Sequence, residues 1–272
     1  MSFKFETVAP RESLSAVVKN FFVLEFSNDT PITDLLLPDG LPSFFYIEAD
    51  KAVETFFGDD TQLFPLQNGF YVGYSNTAVR FIHTEAKIAG ASIYPVFFNL
   101  IFGKSLMSIL NQFQRQDEPN VLIPVSSLIA GSGDNYKEIF GLFENYMEQQ
   151  LANHPFNNEF LQIYRELTSP GGYRLKVEEL AEHVGYSTRH LHTRFQQHFG
   201  MAPKQFIKLV KFNHALKYIY EKDEASSLAS IAEVVGYHDQ SHFIRDFKAI
   251  CGKTPKEIAS APGSLANKFR LF

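Results

Sequence analysis

Near the end of this chain, Gln240 and Arg245 are side chains able to make paired hydrogen bonds. A guanidinium can place two parallel bonds on guanine O6 and N7, and a carboxamide can pair with adenine N6 and N7. Either residue could equally face phosphate or water, so residue type alone does not choose. Around them lie His190, His192, His198, His238 and His242. No carboxylate or second histidine stands at a consistent ligand spacing beside them, so no metal is expected. The one cysteine, Cys251, excludes an internal disulfide and a cysteine-based zinc site; it reads as a buried filler. The chain has no Gly-rich phosphate loop, GxSxG or HExxH. Neither an enzyme nor a cofactor is expected.

These residues sit in a segment that occurs twice. Residues 180–207 read LAEHVGYSTRHLHTRFQQHFGMAPKQFI, and residues 231–259 read IAEVVGYHDQSHFIRDFKAICGKTPKEIA. Ala181, Glu182, Val184, Gly185 and Tyr186 recur as Ala232, Glu233, Val235, Gly236 and Tyr237. His190, Phe195, Gly200, Pro203 and Lys204 recur as His242, Phe247, Gly252, Pro255 and Lys256. Each copy reads as a short apolar helix, a glycine turn and a second helix, the pattern of a helix-turn-helix whose second helix enters the major groove of DNA. His190 and His242 are equivalent, which argues for a shared structural role. Leu180, Val184, Leu191, Phe195, Ile231, Val235, Phe243 and Phe247 read as core.

The elements that must position the two copies follow from periodicity and punctuation. Helices are expected over 156–167, 177–184, from a Ser187 cap to about 198, and from Pro203 to about 222. Others follow over 228–235, from an Asp239 cap to about 250, and from Thr254-Pro255 onward. The helix that starts at Pro203 carries Phe206, Leu209, Val210, Leu216, Ile219 and Tyr220 as one stripe. At about 20 residues it would span about 30 Å, close to the ~34 Å repeat of major-groove faces.

Charge divides the chain at the same place. Residues 155–272 hold 16 Lys+Arg and 12 Asp+Glu, a balance of +4, within a whole-chain charge of −5. Seven of the nine histidines also lie there. This fits a DNA-binding module, 155–272, joined to a different domain, 1–154, with the boundary in HPFNN at 154–158. No run of 18 apolar residues and no basic-then-apolar N-terminus is present. No membrane association is expected, and the expected location is cytoplasmic.

Residues 1–154 are aromatic-rich. Strands are expected over 14–26, 43–48, 70–74, 79–83 and 88–94, with a loop at SNDTP, 27–31, and a turn at Pro38-Asp39-Gly40. Helices are expected over 95–103, 104–113 and 135–152. The expected fold class is α+β: a mostly antiparallel β domain with helices, then an all-α domain of two helix-turn-helix units joined by a long helix. Phe44, Phe45, Tyr46, Phe70, Tyr71 and Phe81 read as core, with a minority able to line an effector pocket. Asp39, Arg80, His83 and Glu85 are its candidate polar partners.

The run Gly236-Tyr237, Asp239-Gln240-Ser241, His242-Phe243, Arg245, Phe247-Lys248, Gly252 and Thr254-Pro255 resembles the signature of the AraC/XylS family of bacterial transcription regulators. The resemblance covers about residues 156–260 and includes both repeats in order. It implies a seven-helix DNA-binding domain with two groove-entering helices. The base-facing residues it implies are Arg189, His192 and Thr193 in the first unit and Gln240, Ser241 and Arg245 in the second. Thr193 stands where many relatives have a longer polar or basic residue. Ser187, Thr188, Arg194, Gln196, Lys204, Lys248 and Lys256 read as phosphate-facing or solvated. LLLPDG at 35–40, YVGYS at 71–75 and IYPVFFNLIFG at 93–103 resemble a small domain found ahead of this module in environmental bacteria.

The expected function is a sequence-specific regulator of transcription that binds double-stranded DNA in two adjacent major grooves and responds to an effector through residues 1–154. A small-molecule effector, RNA polymerase and a second copy of the chain are the candidate partners. The alternative is a constitutive DNA-binding protein whose N-terminal domain only mediates oligomerisation or protein contacts. An alkyl-transfer repair enzyme with an AraC-like module would need cysteines outside that module, and there are none.

Overall fold

A computed structural model describes residues 2–131, 135–152, 159–169, 171–221 and 227–260. The chain opens with a sheet of eight strands: β1 (Ser2–Val8), β2 (Val18–Leu36), β3 (Ser43–Glu48), β4 (Val53–Phe57), β5 (Phe64–Leu66), β6 (Gly69–Tyr74), β7 (Val79–Ile93) and β8 (Gln112–Gln116). Three helices complete this half: α1 (Pro95–Phe102), α2 (Pro124–Ala130) and α3 (Tyr136–Leu151). Seven follow: α4 (Glu159–Thr168), α5 (Val177–His183), α6 (Thr188–Phe199), α7 (Pro203–Tyr220), α8 (Leu228–Val234), α9 (Gln240–Cys251) and α10 (Pro255–Ala259). The α+β organisation is the expected one. The HPFNN boundary lies outside the described residues.

The sheet runs β1-β2-β7-β3-β6-β8, with every named pair antiparallel, and β4 pairs with β5 and β7. β7 curls it. Residues 87–92 of β7 pair with β3, and residues 79–82 pair with β4 on the same edge. Successive strand residues point to opposite faces, and here both faces are buried. Phe21, Val23, Phe44, Tyr46, Phe70 and Val72 join one core cluster, while Phe22, Leu24, Phe45, Ile47, Tyr71 and Ile88 join another. That is why these strands read as continuous apolar runs rather than as alternations. The first face packs on α3, with the Phe21 and Phe140 rings 5.0 Å apart and Phe44 and Phe143 5.4 Å apart. The second face curves round on itself.

Three expectations in this half are corrected. SNDTP lies inside the long strand β2, although the register jumps from Ser27 to Ile32, leaving a bulge opposite the 83–85 stretch of β7. The strands expected at 79–83 and 88–94 are one continuous strand, since Thr84–Lys87 lie in its middle and stay extended. The helix expected over 104–113 is a single tight turn over Leu106–Ile109, capped by Ser105, and then strand β8. Asn111 stops it. Its φ is 57°, a left-handed conformation incompatible with helix continuation. Its side chain is held by the β6–β7 turn: Oδ1 accepts from Asn76 N and Ser75 Oγ at 3.0 Å, and Nδ2 donates to Asn76 Oδ1 at 2.9 Å. β1, β4, β5, β8 and α2 are not among the elements expected from the sequence.

The C-terminal half matches its expected elements closely. Helix α7, at 18 residues, is about 27 Å long. Phe206, Leu209, Val210, Leu216 and Ile219 are buried as expected, with Tyr220 half-buried, but so are Phe212, Asn213, His214 and Ala215. The expected single stripe is therefore too narrow. α7 is surrounded by α6, α8, α9, α10 and α4, and its buried Asn213 donates to Pro38 O of the sheet half at 3.0 Å. Among the described residues, no helix is long and apolar enough to cross a membrane.

Candidate nucleic-acid interface

Each repeat builds its second helix in the same way. Gly185 and Gly236 turn with φ of 68° and 78°, as a left-handed turn requires. Ser187 Oγ then accepts from His190 N at 3.2 Å, and Asp239 Oδ1 from His242 N at 2.8 Å, satisfying free N–H groups at the helix start. Leu191, Phe195 and Phe199 of α6 face inward, as do Phe243, Phe247 and Cys251 of α9. The expected core residues are buried except Val184, which is half-buried. The equivalent His190 and His242 make similar ring contacts. Their rings meet Tyr186 and Tyr237 edge-on, at 4.5 and 5.2 Å.

Outward, α6 exposes Thr188, Arg189, Thr193 and Gln196, and α9 exposes Gln240, Ser241, Arg245 and Lys248. Lys204 and Lys256 are exposed in the first turns of α7 and α10. Of the other residues singled out, His192 is half-buried and the Ser187 hydroxyl is engaged as a cap. Thr193 Oγ1 turns back to Arg189 O at 3.2 Å. Arg194 is half-buried, lies 5.2 Å over the Phe160 ring and bonds Gln197 Oε1 at 3.1 Å.

The repeat equivalent of Arg194 is Asp246, so the two units carry opposite charge at one half-buried position. Asp246 accepts from Lys208 Nζ of α7 at 2.9 Å and Tyr237 OH at 3.2 Å, and lies 3.3 Å from His242 Nε2. This network braces α9 against α7. Neither Asp246 nor Lys208 was singled out in the sequence; the break in the repeat at 194/246 was the available signal.

The remaining reactive groups are quenched. His198 stacks on Phe160 at 4.1 Å, and burial, aided by Arg194, lowers its pKa to about 4. Burial pushes the Cys251 thiol up to about 11, far from a reactive thiolate. Among the described residues, no group of His, Cys, Asp or Glu is placed to hold a metal ion.

The sheet half touches both second helices at their C-terminal ends. Tyr74 OH donates to Phe199 O at 3.0 Å, and Ala78 N donates to Ile250 O at 2.8 Å. Gly200, which ends α6, has φ of 67°, and a Cβ there would fall 2.7 Å from Leu106 Cβ. Exposed Asp59 shares one surface hollow with Ser241, Arg245 and Lys248. The curled sheet also lines a partly open cavity of about 80 Å³, walled in part by Pro38, Asp39, Tyr74 and Ser75. Of the four candidate polar partners, only Asp39 lines it. Arg80 lies over Phe56, His83 pairs with Asp34 at 3.2 Å, and Glu85 is exposed. Phe45 and Phe81 line it, whereas Phe44, Tyr46 and Phe70 belong to the opposite face.

A helix-turn-helix domain family matches residues 180–261. The C-terminal domain is an AraC-type helix-turn-helix domain. This AraC-type domain is 28% identical over 79 residues to the HTH-type transcriptional activator RhaS of Pectobacterium carotovorum, covering 29% of this chain and 28% of that protein. It is 32% identical over 83 residues to an uncharacterized HTH-type transcriptional regulator of Staphylococcus aureus, covering 30% of this chain and 11% of that one. The chain thus matches under a third of the length of these relatives. Among solved structures, apo ToxT of Vibrio cholerae aligns with 88% of this chain and 96% of its own, at TM-score 0.49 and 11% identity. The AraC-type regulator of Chromobacterium violaceum aligns with 39% of this chain and all of its own, at TM-score 0.33 and 23% identity.

Proposed function

We propose that this chain is a transcriptional regulator that binds a specific double-stranded DNA site and responds to an effector through its N-terminal domain, residues 1–154. Helices α6 and α9 enter adjacent major grooves. Arg189, His192 and Thr193 face bases in the first, and Gln240, Ser241 and Arg245 in the second. Thr188, Gln196, Lys204, Lys248 and Lys256 contact phosphate, which supplies affinity and register. Arg194 and Ser187 join them only if DNA displaces their internal bonds. The α7 length of about 27 Å suits readers spaced near the ~34 Å groove repeat.

The observation that carries the effector reading is the β6–β7 turn. It holds the ends of both second helices, through Tyr74 and Ala78, and its Tyr74 and Ser75 wall the cavity. An occupant that moves this turn changes the placement of both readers and shifts the population able to engage two grooves. Asp59 beside Arg245 and Lys248 adds negative charge where phosphate must come. RNA polymerase and a second copy of the chain remain the candidate protein partners.

The test is titration of labelled duplex DNA with the full chain over a range of salt. Affinity should fall steeply as salt rises, because basic residues release condensed counterions. Salt-insensitive binding, or none, overturns the reading. A constitutive binder whose N-terminal domain only oligomerises would bind DNA with an affinity that no small molecule changes.

A further inference from the structure

The cavity in the curled sheet is chemically one-sided. Phe22, Phe45, Phe57, Phe81 and Phe113 supply aromatic wall, and Asp39 is the only carboxylate among its lining residues. No lysine, arginine or histidine lines it. The cation that bears on Asp39 is Lys19, which is outside the lining. Asp39 accepts from Leu41 N at 2.9 Å, and a carboxylate has about four acceptor sites, so acceptor capacity remains. Burial raises its pKa to about 6, the mark of a carboxylate lacking a close counter-charge. At about 80 Å³ the cavity is far below the ~300–1,000 Å³ of drug-sized pockets, so its occupant is small.

We propose that this cavity takes a small apolar amine, its ammonium group held by Asp39 and its hydrocarbon body by the phenylalanines, and that it rejects carboxylates. The proposal rests on reading the N-terminal domain as effector-responsive and names the ligand class of that site. An ammonium supplies the missing charge and donors. A carboxylate would meet only like charge and apolar wall, and would lose its hydration without return.

The test uses the full chain and two small probes of similar size, propylamine and propanoate, in thermal unfolding. The amine should raise Tm in a dose-dependent way by mass action, and the acid should not. In Asp39→Asn the amine's apparent Kd should weaken at least tenfold. Stabilisation by the acid equal to that by the amine, no effect of the amine, or an unchanged Kd in Asp39→Asn overturns the proposal. The probe comparison stands on the wild-type chain alone, should the variant fail to fold. DNA affinity measured without probe on the same preparation separates the two readings. If DNA binding is retained and the amine has no effect, the ligand class fails; if DNA binding is absent, the regulator reading fails.

Discussion

Tyr74 and Ala78, four positions apart across the β6–β7 turn, hold the C-terminal ends of two different helices. One donates its hydroxyl to Phe199 O of α6 and the other its backbone N–H to Ile250 O of α9. The last carbonyls of a helix have no partner within it, so the sheet completes both repeats at once. A single turn thereby fixes where the two exposed faces stand relative to each other.

Tyr74→Phe removes one of these bonds and leaves a carbonyl without its buried donor. It should lower stability by about 1–3 kcal/mol and alter DNA affinity although Tyr74 itself is buried. Chemical denaturation and DNA titration of the same variant check this. A variant identical to wild type in both would show that the turn does not couple the domains.

Leu216 of α7 is buried. Leu216→Ala should cost about 2–5 kcal/mol as a core truncation and weaken DNA binding through lost geometry. A melting curve that superimposes on wild type would refute the placement of this helix.

Asp39 gives a pH signature. Its folded pKa is about 6, raised from 3.8. A carboxyl raised on folding stabilises the fold while protonated, so its contribution is full below pH 3.8 and is lost as pH rises to about 6. His198 and His214, both lowered to about 4 by burial, act in the opposite sense, since their neutral forms favour the fold and that stability is lost as pH falls from 6.5 towards 4. Comparing Asp39→Asn with wild type cancels the histidines. The variant should be more stable by about 1–3 kcal/mol at pH 7.5 and should lose that advantage at pH 4. An advantage that does not change with pH would contradict the buried-carboxylate account.

The C-terminal half was legible because its signals are local. Ser187 and Asp239 caps, Gly185 and Gly236 turns, and the Pro203 and Pro255 starts each act within a few residues, and their repetition confirms the register. The sheet was less legible because its decisive relationships are not local. Thr84–Lys87 look like a connection and are mid-strand, since Glu85, Ala86 and Lys87 pair with Ser27, Phe26 and Glu25 of β2. Asn111 ends a helical pattern through bonds to residues 35 and 36 positions away. The exposed faces of α6 and α9 could be placed in advance, but the approach of Asp59 to Arg245 follows only from the docking of the two halves.

Arg245 and Thr193 separate the two readers. Arg245→Ala should cost about 1–3 kcal/mol at one base position and relax preference there. Thr193→Ala should matter less, because its hydroxyl bonds its own helix. Lys256→Ala should weaken all sites alike. A panel of single-base operator mutants decides. Uniform loss with Arg245→Ala and altered preference with Thr193→Ala would invert the weighting.

The central claim is that one chain reads two successive grooves with α6 and α9. Selection of bound sites from random duplex DNA by the full chain tests it most directly. The expected result is two short conserved blocks centred about one helical turn apart, about 10 bp, with the preference at one base position of one block relaxed in Arg245→Ala. A single conserved block, or no enrichment over random sequence, would contradict it.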